Sequence, residues 1–229
     1  MSGARPLQAS RSVAEALAAM GIAPERLGER RSARLGPAER EFYFWILRRF
    51  ASGASPAAEA ISGKAVALGL NLKQAREKLV AEDLVHFDAE GEVRVAYPFS
   101  GRPRGHRVLI DGRRTVEAMC AIDALGIGPM LGLPIEITSG DPLSGGEVWV
   151  RLDPGDGTWW EPKQAVVVVG SACEEPSFRG CCDVLNFFES TQNAERYLRD
   201  HDAISGFPIS IPAASELGRT VFGDTFKEA

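Results

Sequence analysis

Histidine and cysteine, the side chains from which soft-metal and zinc sites are built, are scarce in this chain, with three of the first and four of the second among 229 residues. His86, His106 and His201 show no ligand spacing, which leaves each as a surface or hydrogen-bonded side chain. A structural zinc site wants four ligands, typically as two pairs of cysteines a few residues apart; no such matched pairs exist here, and the adjacent Cys181 and Cys182 chelate one ion only awkwardly. Long apolar runs are missing too. The nearest, Ala165-Val-Val-Val-Val-Gly170, is strand-sized, and the opening Met-Ser-Gly-Ala-Arg-Pro-Leu-Gln lacks the apolar core of a secretory signal. Positive charge is in deficit: a net charge of -5 and a pI near 5.4 argue against broad nucleic-acid binding, which needs clustered Lys and Arg for phosphates. These absences together lead to the expectation of a cytoplasmic protein with no membrane and no nucleic-acid partner. In that compartment four cysteines suggest free thiols or metal chemistry rather than a disulfide framework.

What is present is ordinary for a folded protein: 45% hydrophobic and 25% charged residues, in a length that suits one large domain or two small ones. Residues 1–36, rich in Arg, Ala, Gly and Ser, read as a loosely attached N-terminal arm with a short helix at 12–20. From 37 to 50 the density of Phe42, Phe44, Trp45, Ile46, Leu47 and Phe50 predicts a buried helix, opened by Pro37 with Glu39 in its first turn. A helix follows from about residue 56 and another over 72–81, the second helix of a helix-turn-helix. Residues 84–96 then alternate with period two around an Asp-Ala-Glu-Gly turn, a hairpin. This order suggests a winged-helix-like helical module over 37–97, read either as DNA-binding or as a scaffold. Lys73, Arg76 and Lys78 on its last helix are offset by Glu77, Glu82 and Asp83, which weighs against DNA.

The Pro-, Gly- and Arg-rich stretch 98–107 reads as a linker, beyond which 98–229 forms the catalytic α+β domain. Its pattern predicts strands at 108–110, 134–138, 147–152 and 165–169, a helix over 115–125, and closing helices at 193–200 and 213–221. Short strands with few long helices between them imply a mostly antiparallel sheet with flanking helices. The fold class expected is therefore α+β.

The cysteines carry the chemistry. In a helix over 115–125, Cys120 and Asp123 sit at i and i+3 on one face, with β-carbons about 5–6 Å apart. A proton carrier then stands beside a thiol, and a second thiolate from residue 181 or 182 would complete a two-sulfur site that prefers a soft metal. Taken alone, Cys-x-x-Asp is a common pattern whose bland reading is a buried structural cysteine.

The surrounding residues resemble the organomercurial (alkylmercury) lyase family. The matching stretches are Tyr97-Pro-Phe-Ser100, His106-Arg-Val-Leu-Ile-Asp-Gly-Arg113, Met119-Cys-Ala-Ile-Asp-Ala-Leu-Gly126, Cys182-Asp-Val-Leu-Asn-Phe-Phe-Glu-Ser190 and Glu216-Leu-Gly-Arg-Thr-Val-Phe-Gly223, in order from about residue 37 to 223. Carried across, the resemblance makes Cys120 and Cys182 the catalytic, mercury-binding cysteines and Asp123 the catalytic acid beside the Hg(II) product; the spacing to Phe187 selects Cys182 over Cys181. The chain departs from many members in having Met119 where they carry Trp, and Asp141 where they carry a further, structural cysteine.

The resemblance implies an enzyme that cleaves a carbon-mercury bond by protonolysis, with an organomercurial substrate and cellular thiols as co-reactants. It implies no organic cofactor or resident metal, and a mercuric reductase as downstream partner. Two other readings stand beside it: a relative that binds a thiophilic metal or cleaves another carbon-heteroatom bond, and a metal-responsive winged-helix regulator.

Overall fold

The computed structural model describes residues 13–21, 32–172 and 182–226, and these hold seven α-helices and eleven β-strands. Cys173 and Cys181 lie outside the described residues. The N-terminal part contains α1 (Val13–Ala19), α2 (Pro37–Ala51), α3 (Ala58–Ala67), α4 (Leu72–Ala81), β1 (Val85–Phe87) and β2 (Val93–Ala96). Then come β3 (Phe99–Ser100), β4 (His106–Ile110), β5 (Arg114–Ala118), α5 (Ala121–Leu131), β6 (Ile135–Gly140), β7 (Glu147–Asp153), β8 (Gly157–Glu161) and β9 (Val166–Ala172). The chain closes with β10 (Phe187–Phe188), α6 (Thr191–Asp200), β11 (Ile204–Ser210) and α7 (Ile211–Phe222).

Local chemistry sets the helix starts. Pro37 brings a fixed φ to the first turn of α2, where the Gly36 N–H donates to Glu39 Oε2 at 2.9 Å. Asn71 caps α4 by accepting from the Gln74 N–H at 3.1 Å. The helix, helix, helix and hairpin order expected over 37–97 is found. The basic residues of α4 have partners in the same module: Lys78 pairs with Glu82 at 2.8 Å, and the exposed Lys73 lies 3.9 Å from Glu77. Arg76 lies over the Phe87 ring at 4.9 Å and donates to the Gly91 carbonyl at 3.0 Å.

The strands form an eight-stranded sheet in the order β1-β2-β3-β5-β4-β6-β7-β8 and a three-stranded sheet β10-β9-β11, and every pairing is antiparallel. The fold is α+β, as expected. The wing hairpin is not separate from the large sheet, because the stretch expected as a linker carries β3, which bridges β2 to β5. The N-terminal segment is held more closely than its composition suggests: Leu17 is fully buried, and α1 packs against α7 and β9.

The helix expected over 115–125 is divided. Residues 114–118 are strand β5, with Val116 opposite Val108 and with Val116 and Ala118 inward while Thr115 faces solvent. Period-two burial and a β-branched pair outweigh helical spacing in this stretch. The helix begins only at Ala121 and is apolar almost all round, as a central helix must be. It packs on α7 at very close range: a side-chain carbon on Gly218 would sit 2.9 Å from the Gly126 nitrogen, and one on Gly126 would collide with the Phe222 ring. Glycine at both positions lets the two backbones meet.

Candidate active site

The strand-to-helix junction creates the site. Cys120 follows β5 in an extended conformation (φ -155°, ψ -179°) and is the N-cap of α5, its Sγ accepting from the Asp123 N–H at 3.4 Å. The sequence-based placement of Cys120 in mid-helix is thus corrected. The thiol stands at a helix N-terminus, where N–H groups without intrahelical partners and the helix dipole favour negative charge on sulfur. Asp123, in the first turn, is also turned toward the cap: Cys120 Sγ donates to its Oδ2 at 2.8 Å. The two residues are neighbours through capping geometry rather than through a shared helix face.

The second sulfur arrives from the segment leading into β10. Cys182 Sγ lies 3.7 Å from the same Asp123 Oδ2 and 3.9 Å from the Tyr97 hydroxyl. Backbone bonds fix this segment to the core: the Ala121 N–H donates to the Leu185 carbonyl at 2.8 Å, and Val168 N–H to the Asn186 carbonyl at 3.0 Å. The three residues predicted from sequence therefore meet, with one ligand atom from each within 4.8 Å of the others, and form the one such cluster among the described residues. They are 1%, 4% and 5% exposed for Cys120, Asp123 and Cys182.

Burial pushes the Cys120 thiol well above its ordinary pKa, and the adjoining Cys182 thiol and Asp123 carboxylate raise it further. Those contributions outweigh the pull of the helix N-terminus. In the resting cluster the Cys120 sulfur, as donor, lies 2.8 Å from a carboxylate oxygen that also faces the second sulfur. Loss of the thiol proton from sulfur and its reappearance on Oδ2 requires almost no movement. Two soft donors with a proton acceptor between them are suited to a thiophilic metal.

Tyr97 was quoted in the sequence only as part of a motif, yet its hydroxyl reaches Cys182 from the end of the wing hairpin. It sits ahead of a cis peptide to Pro98, its carbonyl accepts from the Tyr43 hydroxyl at 3.3 Å, and the Pro98 carbonyl accepts from the Met119 N–H at 3.1 Å. A buried phenol at the boundary of two patterned segments was the available signal. Met119 is buried beside the site.

Asp141, at the position of the anticipated cysteine, is buried and well satisfied. It accepts from the N–H groups of Leu143 (2.8 Å), Ser144 (3.2 Å) and Glu189 (3.0 Å) and from Asn193 Nδ2 (2.7 Å). Burial works to raise its pKa, but the hydrogen bonds from Asn193, Glu189, Leu143 and Ser144 prevail and hold it below the usual value. A polar staple thus joins the turn after β6 to the start of α6. The histidines are hydrogen-bonded, as the sequence suggested: His86 to Asp83 (2.6 Å), His106 to Ser139 (2.9 Å) and His201 to the Tyr197 carbonyl (2.8 Å). None belongs to the cluster.

A family model described as alkylmercury lyase matches residues 99–223, a span that contains Cys120, Asp123 and Cys182. Alkylmercury lyase of Staphylococcus epidermidis is 29% identical over 175 residues, 76% of this chain and 78% of that protein. That of Bacillus cereus is 28% identical over 185 residues, covering 80% and 81%, and that of Streptomyces lividans 27% over 187, covering 80% and 84%. A crystal structure of the mercury-bound form of MerB2 has the same fold, with a TM-score of 0.70 at 20% identity over 86% of this chain and 95% of that one.

Proposed function

This chain belongs to the alkylmercury lyase family, whose reaction is cleavage of the carbon-mercury bond, and we propose that Cys120, Cys182 and Asp123 carry out that cleavage here. The observation that carries the assignment is the position of Asp123 Oδ2, 2.8 Å from one sulfur and 3.7 Å from the other. One carboxyl can take a proton from either thiol and pass it to a carbon bound between them.

The steps balance as follows. An organomercurial enters as its thiol adduct, R–Hg–SR′. One cysteine thiol exchanges with the bound thiol, giving R–Hg–S-enzyme and releasing R′SH. The second thiol gives its proton to Asp123, and its sulfur adds to mercury. Donation from two sulfurs raises electron density on the mercury-bound carbon, and the Asp123 carboxyl protonates that carbon as a general acid. The hydrocarbon RH leaves, the carboxylate is restored, and Hg(II) remains on Cys120 and Cys182. Two external thiols then remove Hg(II) and return both protons to the cysteines.

Burial supports the proton path, since the Cys120 thiol, withdrawn from water, keeps its proton until mercury displaces it. Mercury is substrate and product in this scheme, so the chemistry calls for no organic cofactor and no resident metal. Cellular thiols are the co-reactants, a thiol-rich cytoplasm is the fitting location, and a mercuric reductase is a natural recipient of the product. No helix among the described residues is long and apolar enough to cross a membrane. Incubation of the protein with a phenylmercury salt and excess thiol should release benzene; failure to do so with Hg(II) still tightly bound would favour a thiophilic-metal binder instead.

A further inference from the structure

The two cysteines come from separate parts of the chain, and one side chain outside the cluster touches both parts. Arg104 lies in the stretch before β4. Its own N–H and that of Gly105 donate to Glu117 Oε2 at 2.9 and 3.3 Å, which anchors the turn to β5. Its Nε donates to the carbonyl of Met119, the residue before Cys120, at 3.4 Å. Its Nη2 pairs with the carboxylate of Asp183, the residue after Cys182. On the Asp183 side, the Asn186 amide donates to the Asp183 carbonyl at 2.9 Å and closes the turn that follows Cys182.

We propose that Arg104 is a positioning residue for the lyase reaction, a fork between the two cysteine segments that sets the separation of the Cys120 and Cys182 sulfurs. The proposal rests on the reading that these sulfurs are the mercury-binding pair. The backbone bond from Ala121 to Leu185 ties the segments three positions beyond Cys182, whereas Arg104 acts on its immediate neighbour. The Arg104 and Asp183 side chains are 34% and 58% exposed, and ion pairs of that kind add little to stability. Geometry is what such a pair can still supply. Arginine suits it because a planar guanidinium addresses a carbonyl and a carboxylate from two nitrogens at fixed angles, which lysine's single ammonium does not. In a reaction that needs two sulfurs on one mercury, misplacement of one by about 1 Å can cost up to about a hundredfold in rate.

The test compares Arg104→Gln, Arg104→Lys, Asp183→Asn and the double variant Arg104→Gln/Asp183→Asn in the full chain. Arg102→Gln is the control, since Arg102 pairs with Asp88 at 3.7 Å away from the site. The readouts are kcat and KM for phenylmercury with excess thiol, the rate at which a competing dithiol strips Hg(II), and the thermal midpoint. Both Arg104 variants and Asp183→Asn should lose roughly tenfold or more in kcat with KM changed less than about twofold, because bound substrate is mispositioned rather than unbound. They should also release Hg(II) faster, with thermal midpoints close to wild type. The double variant should be no worse than either single, as both open the same fork. Arg102→Gln should match wild type. Wild-type kcat and Hg(II) retention in Arg104→Gln and Asp183→Asn would overturn the proposal, as would a loss that merely follows loss of folded protein. If Arg104→Gln does not fold, Asp183→Asn, at an exposed carboxylate, decides alone. If wild type itself releases no benzene, the lyase reading fails separately, and the Hg(II) retention of the variants still decides whether the fork exists.

Discussion

Asp123 Oδ2 lies 2.8 Å from one sulfur and 3.7 Å from the other, and the general-acid step rests on it. Asp123→Asn should still capture Hg(II), because both thiols remain, while cleavage of phenylmercury falls by about a hundredfold or more through loss of the general acid. Cys120→Ser and Cys182→Ser should abolish cleavage, and Cys173→Ser and Cys181→Ser should largely spare it; benzene release by gas chromatography measures all five. Asp141 poses a different question at the same scale. Its carboxylate satisfies four donors, so Asp141→Ala should cost about 3 kcal/mol in chemical denaturation, and Asp141→Cys should be little better because a thiol accepts hydrogen bonds weakly. That Cys120, Asp123 and Cys182 come together was legible through the family resemblance, which singled out Cys182 where the chemistry of the residues alone left 181 and 182 open. The role of Asp141 was not, because its donors come from a turn and from residues 189 and 193, and contacts of that range leave no local pattern.

The junction of β5 with α5 makes the site, and there the sequence misled. The i, i+3 relation of Cys120 and Asp123 was correct as a count but wrong as a structure, since the pair occupies the cap and first turn rather than a helix face. Residues 114–118 lie in a strand because β4 and β3 pair with both of its edges, and such pairing is invisible to a window of local spacing. The strands β8 and β11 escaped for related reasons: β8 is short, with Gly157 at its start, and β11 carries Gly206 and Pro208 within it. Strands with clean apolar alternation, such as β7, were readable. The element that orients the site is α5, and its seat against α7 depends on two glycines. Gly218→Ala must push backbone against backbone and should destabilise the fold by about 1–3 kcal/mol. Because α5 begins at the Cys120 cap, kcat should fall in the same variant; a denaturation curve and a phenylmercury assay on one preparation test both.

For the molecule as a whole, two regions read as separate in the sequence share one sheet, and the wing hairpin ends at Tyr97 beside Cys182. The helical module thereby acts as a wall of the site, and the full chain should show no salt-sensitive shift of duplex DNA in a gel. Acid stability is also a property of the whole. Burial, with the Arg104 charge adding to it and a hydrogen bond with Asn186 opposing, lowers the pKa of His106 from 6.5 to about 4. The unfolded chain binds this proton first as pH falls, so stability present above 6.5 should decline between 6.5 and about 4, by about 3 kcal/mol for this group. Asp141, whose pKa is lowered from 3.8, withdraws its own contribution only below that range. His106→Gln should flatten the upper part of the pH profile, as read from denaturant midpoints. The central claim, that Cys120, Cys182 and Asp123 protonate a mercury-bound carbon, is tested most directly by a single turnover of phenylmercury in D2O on wild type and Cys182→Ser. The account predicts monodeuterated benzene from wild type in stoichiometric yield, with Hg(II) left on the protein, and none from Cys182→Ser. Hg(II) binding without benzene from wild type, or full benzene release by Cys182→Ser, would contradict it.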